Sequence, residues 1–208
     1  MRIAIIGAGG HGKAVLDAAL ESNEYQVAGI VDDNKELVGT YLFGVPVFNC
    51  IDELDGVEAY TVAIGDNVIR KRKFQQFQQM GYKPVNIKHA SVYISPRVSM
   101  GQGSVILACA VITANAVIGD NVVLYTSCTI EHDCIISDHS YISPGCNVCG
   151  AVNIHEGAMI GTGAVIMPGV TVGEWSVVGA GAVVNRDVEP GITVVGIPAG
   201  NIKHREKI

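Results

Sequence analysis

The chain has 208 residues, 49% of them apolar but only 6% aromatic, and a formal net charge of −6. That composition predicts two small domains or one elongated one, with a core of Ile, Val and Ala in place of large rings. The acidic balance, without a basic run, excludes nucleic acid and anionic membranes as partners. The apolar start of the chain meets glycine and histidine too early for a signal peptide or a membrane span, so the expected compartment is cytoplasmic.

In chain order, residues 2–6 read as a short apolar strand, 7–12 as a glycine-rich turn, and 11–21 as a helix with Val15, Leu16 and Ala19 on one face. Residues 26–31 read as a second strand, ending in the turn cluster Asp32-Asp33-Asn34. A hairpin-like element around Gly44 and Pro46 is predicted over 41–48, a strand over 59–64 and a polar amphipathic helix over 68–80; residues 84–87 lead onward.

The turn Gly7-Ala8-Gly9-Gly10-His11-Gly12 matches G-x-G-x-x-G between a strand and a helix, with Asp32 and Asp33 about 20 residues further on. Such glycines let backbone N–H groups approach a phosphate, and the helix N-terminus adds a favourable dipole. Three readings stay open: a nicotinamide cofactor, a nucleotide-linked ligand, or a tight turn with no ligand. Fewer than 90 residues precede the next pattern, too few for a dinucleotide sheet plus a substrate domain, which ranks the nucleotide-linked ligand first.

From Ile94 to Val184 every sixth residue is aliphatic, and two residues before each stands a small or β-branched side chain. A period of six fits neither a helix nor a lone strand. It predicts a β-solenoid in which three hexads close one triangular coil, sixteen hexads giving slightly more than five coils. Cys128, Cys134 and Cys146 occupy the small inward register and read as compact hydrophobes, with no metal or redox role. Pro190, Gly191 and Pro198 end the hexads, and the tail 201–208, carrying Lys203, His204, Arg205 and Lys207, is predicted to be exposed. The chain thus divides at residue 88, into a small α/β part (1–88) and a repeat part (89–208).

The G-A-G-G-H-G-K opening, V-D-D-N, A-I-G-D-N, the unbroken hexads, I-E-H-D-C within them and the terminal G-I-P-A together resemble the bacterial sugar acyltransferases of the NeuD/PglD type, over nearly the whole chain. The resemblance implies a Rossmann-like βαβ domain followed by a left-handed parallel β-helix; left-handedness comes from it alone. It also implies a homotrimer, acetyl-CoA as co-substrate, and as acceptor the amine of a UDP- or GDP-linked 4-amino-4,6-dideoxy sugar. An O-acetyltransferase acting on sialic acid or a related sugar hydroxyl is the alternative within the family. A non-catalytic nucleotide-sugar-binding scaffold is the alternative outside it.

Glu131-His132-Asp133 interrupts the apolar coil, and a polar triplet there belongs at solvent or in a subunit cleft. Acyl transfer from a thioester needs a base for the attacking amine or hydroxyl, and imidazole suits that task. Residues 18 apart stack on successive coils, which sets His132 under Gly150, whose N–H is placed to receive an oxyanion. The resemblance assigns that same role to Gly150 and makes Asp133 the acid that raises the basicity of His132. Adjacent strand residues face opposite ways, so Asp133 reaches the imidazole only if the chain turns there.

By the same resemblance Gly10, His11, Gly12, Asp32, Asp33 and Gly65 bind the sugar nucleotide, while Tyr141, Gly150, Thr162 and Ala180 contact acetyl-CoA. Tyr141 and Tyr125 stand where the bacillosamine-type enzymes have histidine and asparagine, a departure that bears on which acceptor sugar is taken. His139 and His155 fall in solenoid turns and read as solvated. The spacings from His132 do not match the zinc ligands of the related γ-type carbonic anhydrase solenoid, so no metal is expected.

Overall fold

The computed structural model describes residues 1–22 and 24–201. Apart from the exposed Asn201, the predicted tail lies outside the described residues. The small domain is built on a parallel sheet. Strand β1 (Arg2–Ile6) lies at its centre between β2 (Gln26–Val31) and β5 (Ala59–Val62). Both faces of β1 are covered, which is why it reads as a continuous apolar run and not as an alternation. The hairpin of β3 (Tyr41–Leu42) and β4 (Val45–Phe48) extends the sheet beyond β2, and β6 (Lys83–Pro84) extends it beyond β5.

Helix α1 (Gly10–Ser22) starts within the glycine turn and buries Val15, Leu16 and Ala19. Helix α2 (Asn67–Gln79) begins one residue before its expected start, because Asp66 caps it: the Asp66 carboxylate accepts from the Ile69 N–H at 2.8 Å. Strand β5 stops at Val62, two residues early, where the chain turns toward that cap.

The second half is a three-walled parallel β-helix of two-residue strands. Wall one stacks strands from Ile87–Lys88 through Val105–Ile106 and Tyr141–Ile142 to Thr193–Val195; wall two runs from Tyr93–Ile94 to Val183–Val184, and wall three from Ser99–Met100 to Thr171–Val172. Partners along each wall differ by 18 residues, as in Val105↔Val123 and Val117↔Ile135, except at the last rung of wall one, where Val177 pairs with Thr193. The large aliphatic residue of each hexad points inward and is buried from Ile106 to Val184. Each such side chain contributes about 1.5–3 kcal/mol by leaving water. The small residues fill the narrow angles, among them the fully buried Cys128, Cys134 and Cys146. Burial pushes the Cys128 thiol up to about 12, and all six cysteines are free thiols.

The corners follow a second rule that the hydrophobic pattern conceals. At every sixth residue from Gly103 to Gly181 the backbone is left-handed, with φ between +54° and +74°. Non-glycine residues hold several of these corners, including Asn115, Asn121, Asp133 and His139, residue types that tolerate this conformation better than most.

The small domain packs on the outside of wall one. Ile3, Ile5, Val15, Leu16 and Ala19 share a cluster with Ile87, Val105 and Val123. His139, expected to be solvated, is instead buried (6% exposed), because α2 covers its corner: its ring meets Phe74 edge-on at 5.8 Å and its Nδ1 pairs with the Asn121 amide at 2.8 Å. His155 is exposed, as expected. Among the described residues no helix is long and apolar enough to cross a membrane.

Candidate active site

His132 sits on the corner between walls two and three, after the strand Thr129–Ile130. The next residue, Asp133, is one of the left-handed corners (φ 60°), and that turn swings its carboxylate back toward the preceding side chain. The doubt raised by strand geometry is thereby resolved: Asp133 Oδ2 lies 2.8 Å from His132 Nδ1. Its other oxygen accepts from Asn115 Nδ2 at 3.1 Å, one coil below. Hydrogen bonds from His132 and then Asn115 hold the Asp133 carboxyl below the usual carboxylate range. With Nδ1 engaged as donor, the lone pair of the imidazole resides on Nε2. Glu131 goes elsewhere, accepting from Thr113 Oγ1 at 3.3 Å.

Above this imidazole lies Gly150. A Cβ there would stand 2.6 Å from both Cε1 and Nε2 of His132, so the ring rests directly against a bare α-carbon. Neighbouring Ala151 and Gly169 carry the ladder, donating to His132 O and Gly150 O, while the Gly150 N–H donates to no described group. A proton acceptor and an unspent amide therefore stand side by side. In one chain this corner is open: the His132 and Asp133 side chains are 62% and 54% exposed.

The residues expected to bind the sugar nucleotide gather elsewhere, at the carboxyl ends of β1, β2 and β5, where open α/β sheets take ligands. A Cβ on Gly12 would collide with the Gly7 carbonyl, so that glycine is needed for the turn itself, whereas Gly10 and Gly65 face open space. The Asp32 carboxylate holds the turn together: one oxygen accepts from Ala8 N–H at 2.7 Å and the other from Asn34 N–H at 2.8 Å. Asp33 pairs with Lys73 at 2.6 Å. A cavity of about 360 Å³ opens here, lined by Gly7, Asp32, Asp33, Asp52, Arg72 and Lys73 among others. A second of about 330 Å³ lies beside Gly9, Gly10 and Lys13.

His11 stacks with Tyr125 and Tyr141 at 5.6 and 6.0 Å, against wall one. Both ring nitrogens are buried without a hydrogen-bond partner among the described residues. Burial, then the Arg70 charge, lowers its pKa to about 4, so it is neutral at pH 7. Of the residues expected at acetyl-CoA, Tyr141 lies under the small domain, Gly150 beside His132, and Thr162 and Ala180 one above the other on the corner between walls one and two. A single chain thus brings His132, Asp133 and Gly150 together. It leaves the glycine turn outside wall one and Thr162 and Ala180 on the corner between walls one and two.

Residues 2–77 match the PglD N-terminal domain, and residues 151–186 match the bacterial transferase hexapeptide (six repeats). A histidine mutant of perosamine N-acetyltransferase from Caulobacter crescentus, in complex with CoA and GDP-perosamine, superimposes with a TM-score of 0.92 at 33% identity, over 98% of this chain and 97% of that one. This chain belongs to the PglD-type family of hexapeptide-repeat sugar N-acetyltransferases. The acetyltransferase domain of PglB from Neisseria gonorrhoeae, with acetyl coenzyme A, gives 0.90 at 36% identity over 97% and 98% of the two chains. WeeI from Acinetobacter baumannii gives 0.88 at 30% identity over 97% and 100%. The helix of this PglD-type chain has the family's left-handed sense. An uncharacterized protein of Acanthamoeba polyphaga mimivirus is 33% identical over 102 residues, 48% of this chain; the chain spans 20% of that relative's length.

Two residues bearing on the site escaped the sequence reading. Asn115 was discoverable, since 115 + 18 = 133 places it under Asp133. Arg70 was not, because nothing in a polar helix pattern marks one arginine as fully buried.

Proposed function

We propose that the chain is an acetyl-CoA-dependent N-acetyltransferase acting on the amine of a UDP- or GDP-linked 4-amino-4,6-dideoxy sugar, and that it works as a cytoplasmic homotrimer. The small α/β part takes the nucleotide sugar, and the prism, whose first rung is Ile87–Lys88, carries acetyl transfer. The observation that carries this reading is the placement of His132 Nε2 against Gly150 with Nδ1 tied to Asp133. Nε2 accepts a proton from the sugar amine as its nitrogen attacks the thioester carbonyl. The Gly150 N–H faces the oxyanion of the tetrahedral intermediate, a contribution of about 3–4 kcal/mol for one donor in other enzymes. Collapse of that intermediate expels CoA thiolate. The relatives solved with CoA, GDP-perosamine or acetyl coenzyme A support both substrates.

The incompleteness of the site in one chain supports a neighbouring copy, and the number three is taken from the resemblance. The imidazole is 62% exposed in one chain, and the residues read as substrate-binding lie outside wall one. A neighbouring copy that laid its wall-one side beside the His132 corner would enclose the base and deliver the sugar. The test is CoA release on mixing acetyl-CoA with a panel of UDP- and GDP-linked 4-amino sugars, free sialic acid, and each nucleotide alone. Turnover with a nucleotide-linked amino sugar is the expected result. Turnover with sialic acid alone points to the hydroxyl acceptor, and thioester stability against the whole panel overturns the enzyme reading.

A further inference from the structure

Helix α2 lies along one corner of the prism, between walls three and one. Its Asn67 Nδ2 donates to Gly157 O at 2.9 Å, Arg70 reaches His139 O at 2.6 Å and Asn121 O at 3.3 Å, and the Phe74 ring covers Gly103. The corner residues are 18 apart and the helix residues three or four apart. A helical turn of about 5.4 Å and a rung of about 4.8 Å are close enough for the two ladders to mesh.

Arg70 is the centre of this contact and is 0% exposed. Its Nε donates to Asn121 O, its Nη1 to Ile64 O, Gly65 O and Asn67 Oδ1, and its Nη2 to His139 O and Ser140 O. All six acceptors are neutral, and among the described residues it forms no ion pair. A buried guanidinium without a carboxylate is costly, and burial lowers its pKa to about 10. The acceptors divide between the two domains. Ile64 and Gly65 belong to the turn between β5 and α2, at the open ends of the sheet; Asn121, His139 and Ser140 belong to the prism. The guanidinium also stands 5.6 Å from the Tyr141 ring, which packs on His11.

We propose that Arg70 is a positioning residue of the nucleotide-sugar site, locking the Gly65 turn and the His11–Tyr141 stack to the prism so that the small domain holds its ligand in one fixed placement. Its N–H groups are occupied by protein acceptors, so it acts without touching substrate. Lysine keeps the charge but cannot span both domains with a planar fork. The inference rests on the nucleotide-sugar reading given under Proposed function.

The test is calorimetric titration of the full chain with UDP, GDP and CoA, for wild type, Arg70→Lys and the milder Asn67→Ala, alongside circular dichroism and oligomer mass. Arg70→Lys is expected to weaken the better nucleotide about tenfold and Asn67→Ala about threefold, with CoA affinity held within about twofold. A folded Arg70→Lys with wild-type nucleotide affinity, or one that loses nucleotide and CoA equally, overturns the proposal. If Arg70→Lys does not fold, Asn67→Ala decides on the same criterion. Wild type that binds CoA but neither nucleotide removes the underlying reading instead, and Arg70's role with it.

Discussion

The imidazole of His132 occupies the space that a side chain at position 150 would need, 2.6 Å from the place of a Cβ. Gly150→Ala must therefore push the ring off the open amide, although the backbone there lies outside the left-handed region that disfavours alanine. We expect a loss of about 10²-fold in kcat with the fold retained, the size of effect seen when one oxyanion donor is misplaced. Steady-state CoA release and a thermal melt measure both. His132→Ala should abolish turnover at unchanged stability, because the side chain is 62% exposed; wild-type-like turnover would remove its role as base.

Asp133 does two jobs, turning the corner and holding the imidazole. Asparagine also tolerates a left-handed backbone, so Asp133→Asn separates charge from turn. A fall in kcat of up to about 10⁴-fold is expected, with the assembly intact. Asn115→Ala, which frees one carboxylate oxygen, should cost about threefold, a single exposed hydrogen bond being weak. Equal activity of both variants with wild type would show that Asp133 does not tune the base.

His11 carries a pH signature. Its folded pKa of about 4 lies below the unfolded value near 6.5, so between those values the unfolded chain binds the extra proton. Stability is thus lost as pH falls through that window, and nothing is lost above it. His11→Phe removes two unpartnered nitrogens from the aromatic stack. Urea unfolding should show its advantage over wild type growing by about 2–3 kcal/mol from pH 7 to pH 4.5. A constant difference between the two proteins would contradict a buried neutral imidazole.

Val117 and Ile135 are register partners on the outer face of wall three, and both remain exposed (44% and 46%). Bordering the His132 corner, this face is the one we expect a neighbouring copy to cover. Ile135→Glu should shift the light-scattering mass from trimer to monomer and lower kcat more than tenfold, since a lone buried carboxylate is costly. An intact trimer would place the interface on another wall.

The prism was legible because each of its layers repeats one rule: an inward aliphatic residue every sixth position and a small residue two before it. Stacking by 18 followed from the same count and placed Gly150 over His132. In the small domain β1 and β2 matched their predicted bounds, whereas α2 began early because the Asp66 cap, a hydrogen bond and not a hydrophobic signal, sets its start. Arg70 and His139 stayed hidden for one shared reason. Their burial is created where α2 meets a prism corner, between segments 69 residues apart in sequence, and no local pattern encodes a contact of that range. Asp32 has a structural part that its spacing did not reveal, since its carboxylate also pins Ala8 and Asn34.

The left-handed corners at constant spacing have an evolutionary consequence. Losing one residue between Gly103 and Gly181 would put every later side chain out of phase, sending aliphatic groups to solvent and corner conformations into strands. Length between those two corners is quantised, and only whole circuits of eighteen can be gained or lost there without that penalty. A lineage can lengthen or shorten the column beyond the catalytic level while His132, Asp133 and Gly150 keep their mutual distances unaltered.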